Sequence, residues 1–247
     1  CKALTSLDLS NFNTSNVTDM SSMFAGYNPA VIDLSSFDTR KVTNMSSMFS
    51  NCDNLMSLDL SMLDTSSVTN MRNMFSGCDN FTTLDLSMFD TSRATNMSSM
   101  FSSCKALTSL DLSSFDTSNV TDMSSMFWLS NKLTSLNLSS FDTRKVTEIG
   151  WMFRGCSGLT SLDISSFDTS SVTDMEYMFD NMPNIETIYA SSSFITDSCI
   201  KSTDMFKTCT KLTGGNGTSY NASHTDEEYA RIDGGPDSET PGYFTSR

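Results

Sequence analysis

Residues 104–129 read CKALTSLDLSSFDTSNVTDMSSMFWL, and this unit returns along the whole chain. Its Met-Phe pair recurs at Phe24, Phe49, Phe75, Phe101, Phe127, Phe153, Phe179 and Phe206, each directly preceded by Met. The spacings are 25, 26, 26, 26, 26, 26 and 27 residues. A fixed period of that size marks a stacked solenoid, in which no unit buries its apolar face alone.

Two periods coexist within the unit. Leu107, Leu110 and Leu112 end in an alternation that predicts a short strand, with Leu110 and Leu112 inward and Asp111 outward. Val120, Met123 and Phe127 fall at i, i+3 and i+7, a spacing that predicts a helical turn or two with one buried stripe. Asp122 is placed as its N-cap, and Asp19, Asn44, Asn70, Asn96 and Asp174 hold the same place in other copies. The Phe-Asp-Thr-Ser run between strand and helix supplies side-chain turn chemistry at a corner.

The expected fold class is therefore an α/β repeat solenoid. Its leucine-rich-repeat-like coils of about 26 residues would carry one parallel sheet, with short helical turns opposite. A parallel β-solenoid is the alternative. Eight coils and the start of a ninth would fill residues 1–212, with 213–247 as a capping segment. That cap would cover the last coil with Leu212, Tyr229, Ile232, Tyr243 and Phe244, since terminal repeats need protection. The chain opens at Cys1 inside a repeat, so more repeats or a cap are expected upstream, and an uncovered end predicts end-to-end self-association.

LxxLxL followed by VTxMxxMFxxC, eight times over, resembles the BspA-like leucine-rich-repeat surface proteins, in the variant with FDTSxVTDMSSMF in each copy. The resemblance covers nearly the whole chain and includes the tail from Gly214. It implies an extracellular or cell-surface protein used for attachment to host proteins or other cells, without catalysis. Net charge agrees in one respect: at −14 the chain repels phosphate backbones and anionic headgroups, so nucleic acid and bare membrane are poor partners. No stretch approaches 18 uninterrupted apolar residues, so no membrane insertion is expected.

Six of the seven cysteines share one repeat position: Cys1, Cys52, Cys78, Cys104, Cys156 and Cys209. Tyr27, Ser130 and Met182 fill the same place elsewhere, which is the behaviour of a packing site with free thiols. Cys199 stands in the Val column and is expected buried. No metal site is expected, because zinc would want CxxC pairs or nearby His. Nor is an enzyme or a cofactor: the single His224 lies in the tail, and no nucleophile elbow, phosphate loop or HExxH helix occurs.

Carboxylates instead form ladders. The outward strand residues Asp8, Asp33, Asp59, Asp85, Asp111, Asn137, Asp163 and Tyr189 should stack about 5 Å apart on a concave face. Asp59, Asp85 and Asp111 at its centre are candidate binding residues for Lys/Arg-rich protein surfaces or divalent cations, against a solvated, aggregation-resistant stripe. A second ladder, Asn13, Asp38, Asp64, Asp90, Asp116, Asp142 and Asp168, reads as corner hydrogen bonding. The Thr row that follows it, from Thr14 to Thr169, resembles the hydroxyl arrays of ice-binding solenoids, a remote alternative.

Identical copies cannot create a unique site, so departures from the template carry the functional expectation. Trp128 replaces a small residue just after the Met-Phe pair, and Trp151 and Tyr177 replace serines just before it. All three should be exposed on consecutive coils of one helical face, as an anchor for a host or neighbouring-cell protein or as a glycan platform. The function expected is a non-catalytic adhesin-like binding module. A structural spacer or self-assembling filament repeat is the alternative.

Overall fold

The computed structural model describes residues 7–27 and 29–247; Cys1, in phase with the repeat, lies outside them. The chain forms a repeat solenoid of parallel coils, held by two ladders of backbone hydrogen bonds. Along the first, β1 (Ser109–Asp111) pairs in parallel with β2 (Ser135–Asn137), and β3 (Ser161–Asp163) with β4 (Thr187–Ala190). The register sets Leu110 beside Leu136 and Leu162 beside Ile188, each a whole coil apart.

The sheet is not continuous, contrary to the expected single parallel sheet. It consists of one two-stranded and one three-stranded piece. In coils two and three the corresponding backbone, 32–34 and 58–60, shares no inter-coil bond among the described residues. In paired and unpaired coils alike, each outward Asp or Asn accepts the amide of the Ser two residues on, as in Ser61 N to Asp59 at 3.0 Å and Ser113 N to Asp111 at 3.0 Å, so the chain turns away and the strands stay short.

The second ladder is the continuous one. Parallel bridges link Asp19 to Asn44, Asn44 to Asn70, and so on through Asn96, Asp122, Glu148 and Asp174 to Lys201. This is where helical turns were expected, and helices are essentially absent: Glu227–Tyr229, a single 3-10 turn, is the only helical element among the described residues. In coil five the amides of Met123, Ser125, Phe127 and Leu129 donate to Glu148, Gly150, Met152 and Arg154 of the next coil at 2.8–2.9 Å. The amides between them, Met126, Trp128 and Ser130, donate three residues back at 3.0–3.2 Å. The result is a pair of tight turns, with Ser125 (φ 57°) and Leu129 (φ 58°) in the left-handed region at their third positions. Burial is the same as a helix would give, because Met123, Met126 and Phe127 all point inward and are fully buried. A helix of eight residues rich in Ser, Asp and β-branched neighbours has little stability of its own, whereas stacking satisfies every second amide.

The Phe column fills the centre. Successive rings from Phe24 to Phe206 stack nearly parallel with centroids 5.3–5.9 Å apart. Two polar columns are buried with it. Thr117 Oγ1 donates to the Asp142 carbonyl at 2.9 Å and accepts the Asp142 amide at 2.8 Å, and Thr39, Thr65, Thr91 and Thr143 are buried alike. The Thr14 to Thr169 row is thus an internal staple between coils, which corrects the reading of it as an outward ice-binding array.

The cysteine column works the same way. Cys52, Cys78, Cys104, Cys156 and Cys209 are free buried thiols, and each donates to the Phe carbonyl of the preceding coil at 3.0–3.2 Å. Ser130 does so with its hydroxyl at 2.7 Å. Burial pushes the thiols of Cys52, Cys104, Cys156 and Cys209 up to about 12. Cys199, expected buried, is only half-buried. Alkylation in native buffer is therefore expected to spare these five buried cysteines until denaturant is added, as peptide mapping would show.

At the far end, residues 213–247 close both ladders. β5 (Phe244–Ser246) pairs in parallel with β4 where a ninth coil would have placed its strand. Thr225 O accepts the Phe206 amide at 2.8 Å, and Asp226 accepts the Asp204 amide at 2.8 Å, ending the turn ladder. Tyr243 and Phe244 are fully buried, their rings edge-on to Phe206 at 5.1 and 5.9 Å. Leu212 is buried, and Tyr229 and Ile232 pack against the same core.

Carboxylate bonding sets the response to acid. The Ser side chain and amide two residues on hold Asp8, Asp33 and Asp59 below the usual carboxylate range, and Arg40 holds Asp38 at about 2. A lowered folded-state pKa gives stability that is complete above the unfolded value near 4 and lost as pH falls through the folded one. The melting midpoint is therefore expected to be level above about pH 5 and to fall steeply between about pH 4 and pH 2.

Candidate functional site

Trp151 and Tyr177 occupy one column on adjacent coils, the first left-handed position of the turn pair, at φ 59° and 54°. Ser22, Ser47, Asn73, Ser99, Ser125 and Asp204 hold it in the other coils at φ 55–57°. Identical backbone with serine in place shows that the coil needs no ring there. The rings stack on one another at 5.8 Å and 21° and are half-buried, rather than exposed as expected. Stacking at the coil repeat covers part of each ring, which is the reason for the difference.

Arg154, three residues past Trp151, turns this pair into a polar cluster. Its guanidinium carbon lies 5.1 Å from the Tyr177 ring centre, and its Nε donates to Asp180 at 2.7 Å. Asp180 is buried, so the pair is held largely away from solvent on its acidic side. Lys207 pairs with Asp204 at 2.7 Å on the next coil. Arg154, Tyr177, Asp180, Asn181, Lys207 and Thr208 line an open cavity of about 460 Å3. Aromatic edge, fixed guanidinium and ammonium together suit a ligand that offers both apolar surface and hydrogen-bond acceptors.

Trp128 stands apart from this cluster. It shares the column of Arg154 and Asp180, is half-buried, and makes no ring pair with Trp151 or Tyr177 among the described residues. Its indole N–H is buried without a hydrogen-bond partner.

Asp59, Asp85 and Asp111 are exposed, one coil apart, each with Oδ1 taken by a Ser amide at 3.0 Å. The row is broken by Asn137, whose Nδ2 donates to Asp111 at 3.0 Å, and at its end Arg247 lies 4.8 Å over Tyr189 and pairs with Asp163. No group of three or more His, Cys, Asp or Glu among the described residues is arranged to hold a metal ion. His224 pairs with Glu228 at 3.1 Å and stacks on Tyr229 at 4.5 Å within the cap.

One set of departures escapes an aromatic criterion. Val31, Met56, Met62 and Met88 replace Ser or Thr of other coils and are 54–72% exposed, all within coils two to four. The legible signal is the one that marks Trp151: a large side chain in a column that is otherwise small and polar.

No helix of the described residues is long and apolar enough to cross a membrane. Comparison with the curated proteins finds no match. Among solved structures, a leucine-rich repeat protein from Bacteroides ovatus ATCC 8483 is similar at 16% identity, over 78% of this chain and 62% of that one, with a TM-score of 0.29. This chain thus spans less than two thirds of that protein's crystallised length. A family model described as Mycoplasma protein of unknown function, DUF285, matches residues 1–60, 54–160 and 129–233, which together take in every coil. The chain belongs to that DUF285 family.

Proposed function

We propose that the chain is a non-catalytic cell-surface binding module of the BspA-like kind, which attaches to an extracellular protein or glycan through the cluster around Trp151 and Tyr177. The observation that carries this reading is the pair of rings in a serine column. Every coil places a non-glycine residue in the left-handed region here, at a cost of about 1–2 kcal/mol that serine carries as Trp151 and Tyr177 do. The coil thus folds alike with serine and does not need the rings, and the Arg154–Asp180 pair beside them gives the surface a fixed polar geometry.

The test is a screen of the chain against immobilised matrix proteins and glycans, followed by Trp151→Ser with Tyr177→Ser. Because serine is the residue of other coils, the variant should melt within a few degrees of the parent. Binding is expected to weaken by at least about tenfold. Unchanged binding by a folded double variant would refute the assignment.

A further inference from the structure

A second surface lies on the strand side of coils two to four, remote in sequence from the aromatic cluster and independent of it. Val31, Met62 and Met88 are 66%, 54% and 67% exposed there, in columns that hold Ser or Thr in most other coils. Val31 and Met62 come from different coils yet line one cavity of about 290 Å3, with Asp33 and Asp59 in the same wall. That cavity opens where 32–34 and 58–60 run side by side without an inter-coil backbone bond.

The charges at the centre of this face are the carboxylates of Asp33, Asp59 and Asp85, while the corner Asp38 is paired with Arg40 at 2.6 Å. Residues 31–39, 56–65 and 82–91 contain six aspartates and no Lys or Arg. Ser35, Ser61 and Ser87 hold one oxygen each of Asp33, Asp59 and Asp85 through their amides at 2.9–3.0 Å, which fixes the carboxylates and leaves the second oxygen open. Apolar side chains beside oriented carboxylates are complementary to a chain that carries both aliphatic and cationic residues. Methionine suits such a face because its unbranched thioether adapts to varied apolar partners. A second copy of this chain, at −14, is a poor electrostatic match.

We propose that this face of coils two to four is a docking surface for a segment of a partner protein rich in both Lys or Arg and aliphatic residues. The cations meet Asp33, Asp59 and Asp85, and the aliphatic side chains lie against Val31, Met62 and Met88.

The probe is a synthetic peptide of four Lys-Val repeats, with a Lys-Ser peptide of equal charge and a Glu-Val peptide as comparisons, titrated calorimetrically against the full chain. The Lys-Val peptide is expected to bind at least about tenfold more tightly than Lys-Ser, and Glu-Val not measurably. Val31→Ser, Met62→Ser and Met88→Ser together should erase the preference for Lys-Val over Lys-Ser. Asp33→Asn, Asp59→Asn and Asp85→Asn should weaken both cationic peptides, since Asn137 shows that the turn survives asparagine. Hydrogen exchange on the unmodified chain gives a readout free of any folding defect, with protection expected at 31–34, 57–62 and 83–88. Equal binding of Lys-Val and Lys-Ser, protection elsewhere, or a dimer that the serine variant dissolves would each overturn the proposal.

Discussion

Phe127→Ala should destabilise the chain by about 3–5 kcal/mol, the range for emptying a fully buried aromatic site. Phe127 is fully buried between Phe101 at 5.9 Å and Phe153 at 5.6 Å, so the ring has flat partners on both sides. Neighbouring coils cannot collapse into the void, because the amides of Met123, Ser125 and Phe127 fix their spacing from the next coil at 2.9 Å. In a solenoid the loss also falls on the coupling between adjacent units. Urea melts of the variant are therefore expected to lose cooperativity, with coils on the two sides of the gap unfolding at separate midpoints. A loss below about 1 kcal/mol would mean that the Phe column is not the core that its burial implies.

Asp233→Ala should release the cap. The carboxylate is buried and accepts from the amides of Asn216 at 2.8 Å, Thr218 at 3.0 Å and Gly235 at 2.8 Å, and from the Thr218 hydroxyl at 2.5 Å. Burial raises its pKa, but these donors outweigh that and leave it below the usual carboxylate range. Alanine strands several buried donors at once, at a cost of about 3–5 kcal/mol, a few donors at about 1–3 each, partly relieved by opening. Since Asp233 joins 214–218 to 242–244, the expected consequence is loss of β5 and exposure of Tyr243 and Phe244. Binding of a hydrophobic dye and proteolysis within 213–247, with the coils before it still folded, would report this. Asp233→Asn should fall between the two, because its amide nitrogen cannot accept. An alanine variant that resists protease as the parent does would remove the carboxylate from this role.

The period, the inward leucines and the Met-Phe core were legible because burial repeats with the sequence. The turn pair was not. Spacing i, i+3, i+7 buries Met123, Met126 and Phe127 in a helix or in two linked turns alike, and the deciding left-handed residue is Ser125 where glycine would have announced it. Thr117 misleads for a related reason: a hydroxyl reads as surface until both its hydrogen-bonding roles are seen to be filled inside. Of the candidate site, Trp151 and Tyr177 show in the sequence as departures, whereas the pairing of Arg154 with Asp180 needs the lateral step between coils. Trp128 looks equivalent and is not, because a shift of three residues along the turn moves it to another column. Met62 and Met88 are inconspicuous in a chain with 18 methionines, where only column position separates surface from core.

The turn ladder is built from backbone groups alone, and each coil offers its predecessor the same acceptors that its successor offers it. Excision of residues 104–129, one period, would leave Ser103 facing Arg154 O as it now faces Trp128 O, and the rod could rejoin without a new kind of contact. Such a chain would be shorter by one step of about 5 Å, with every residue beyond the cut moved that far toward the start. Distance between the apolar-acidic face and the aromatic cluster is thus a quantity that gene-level gain or loss of whole coils adjusts in fixed increments, like rungs added to a ladder. A ligand that must touch both faces would be measured against that ruler.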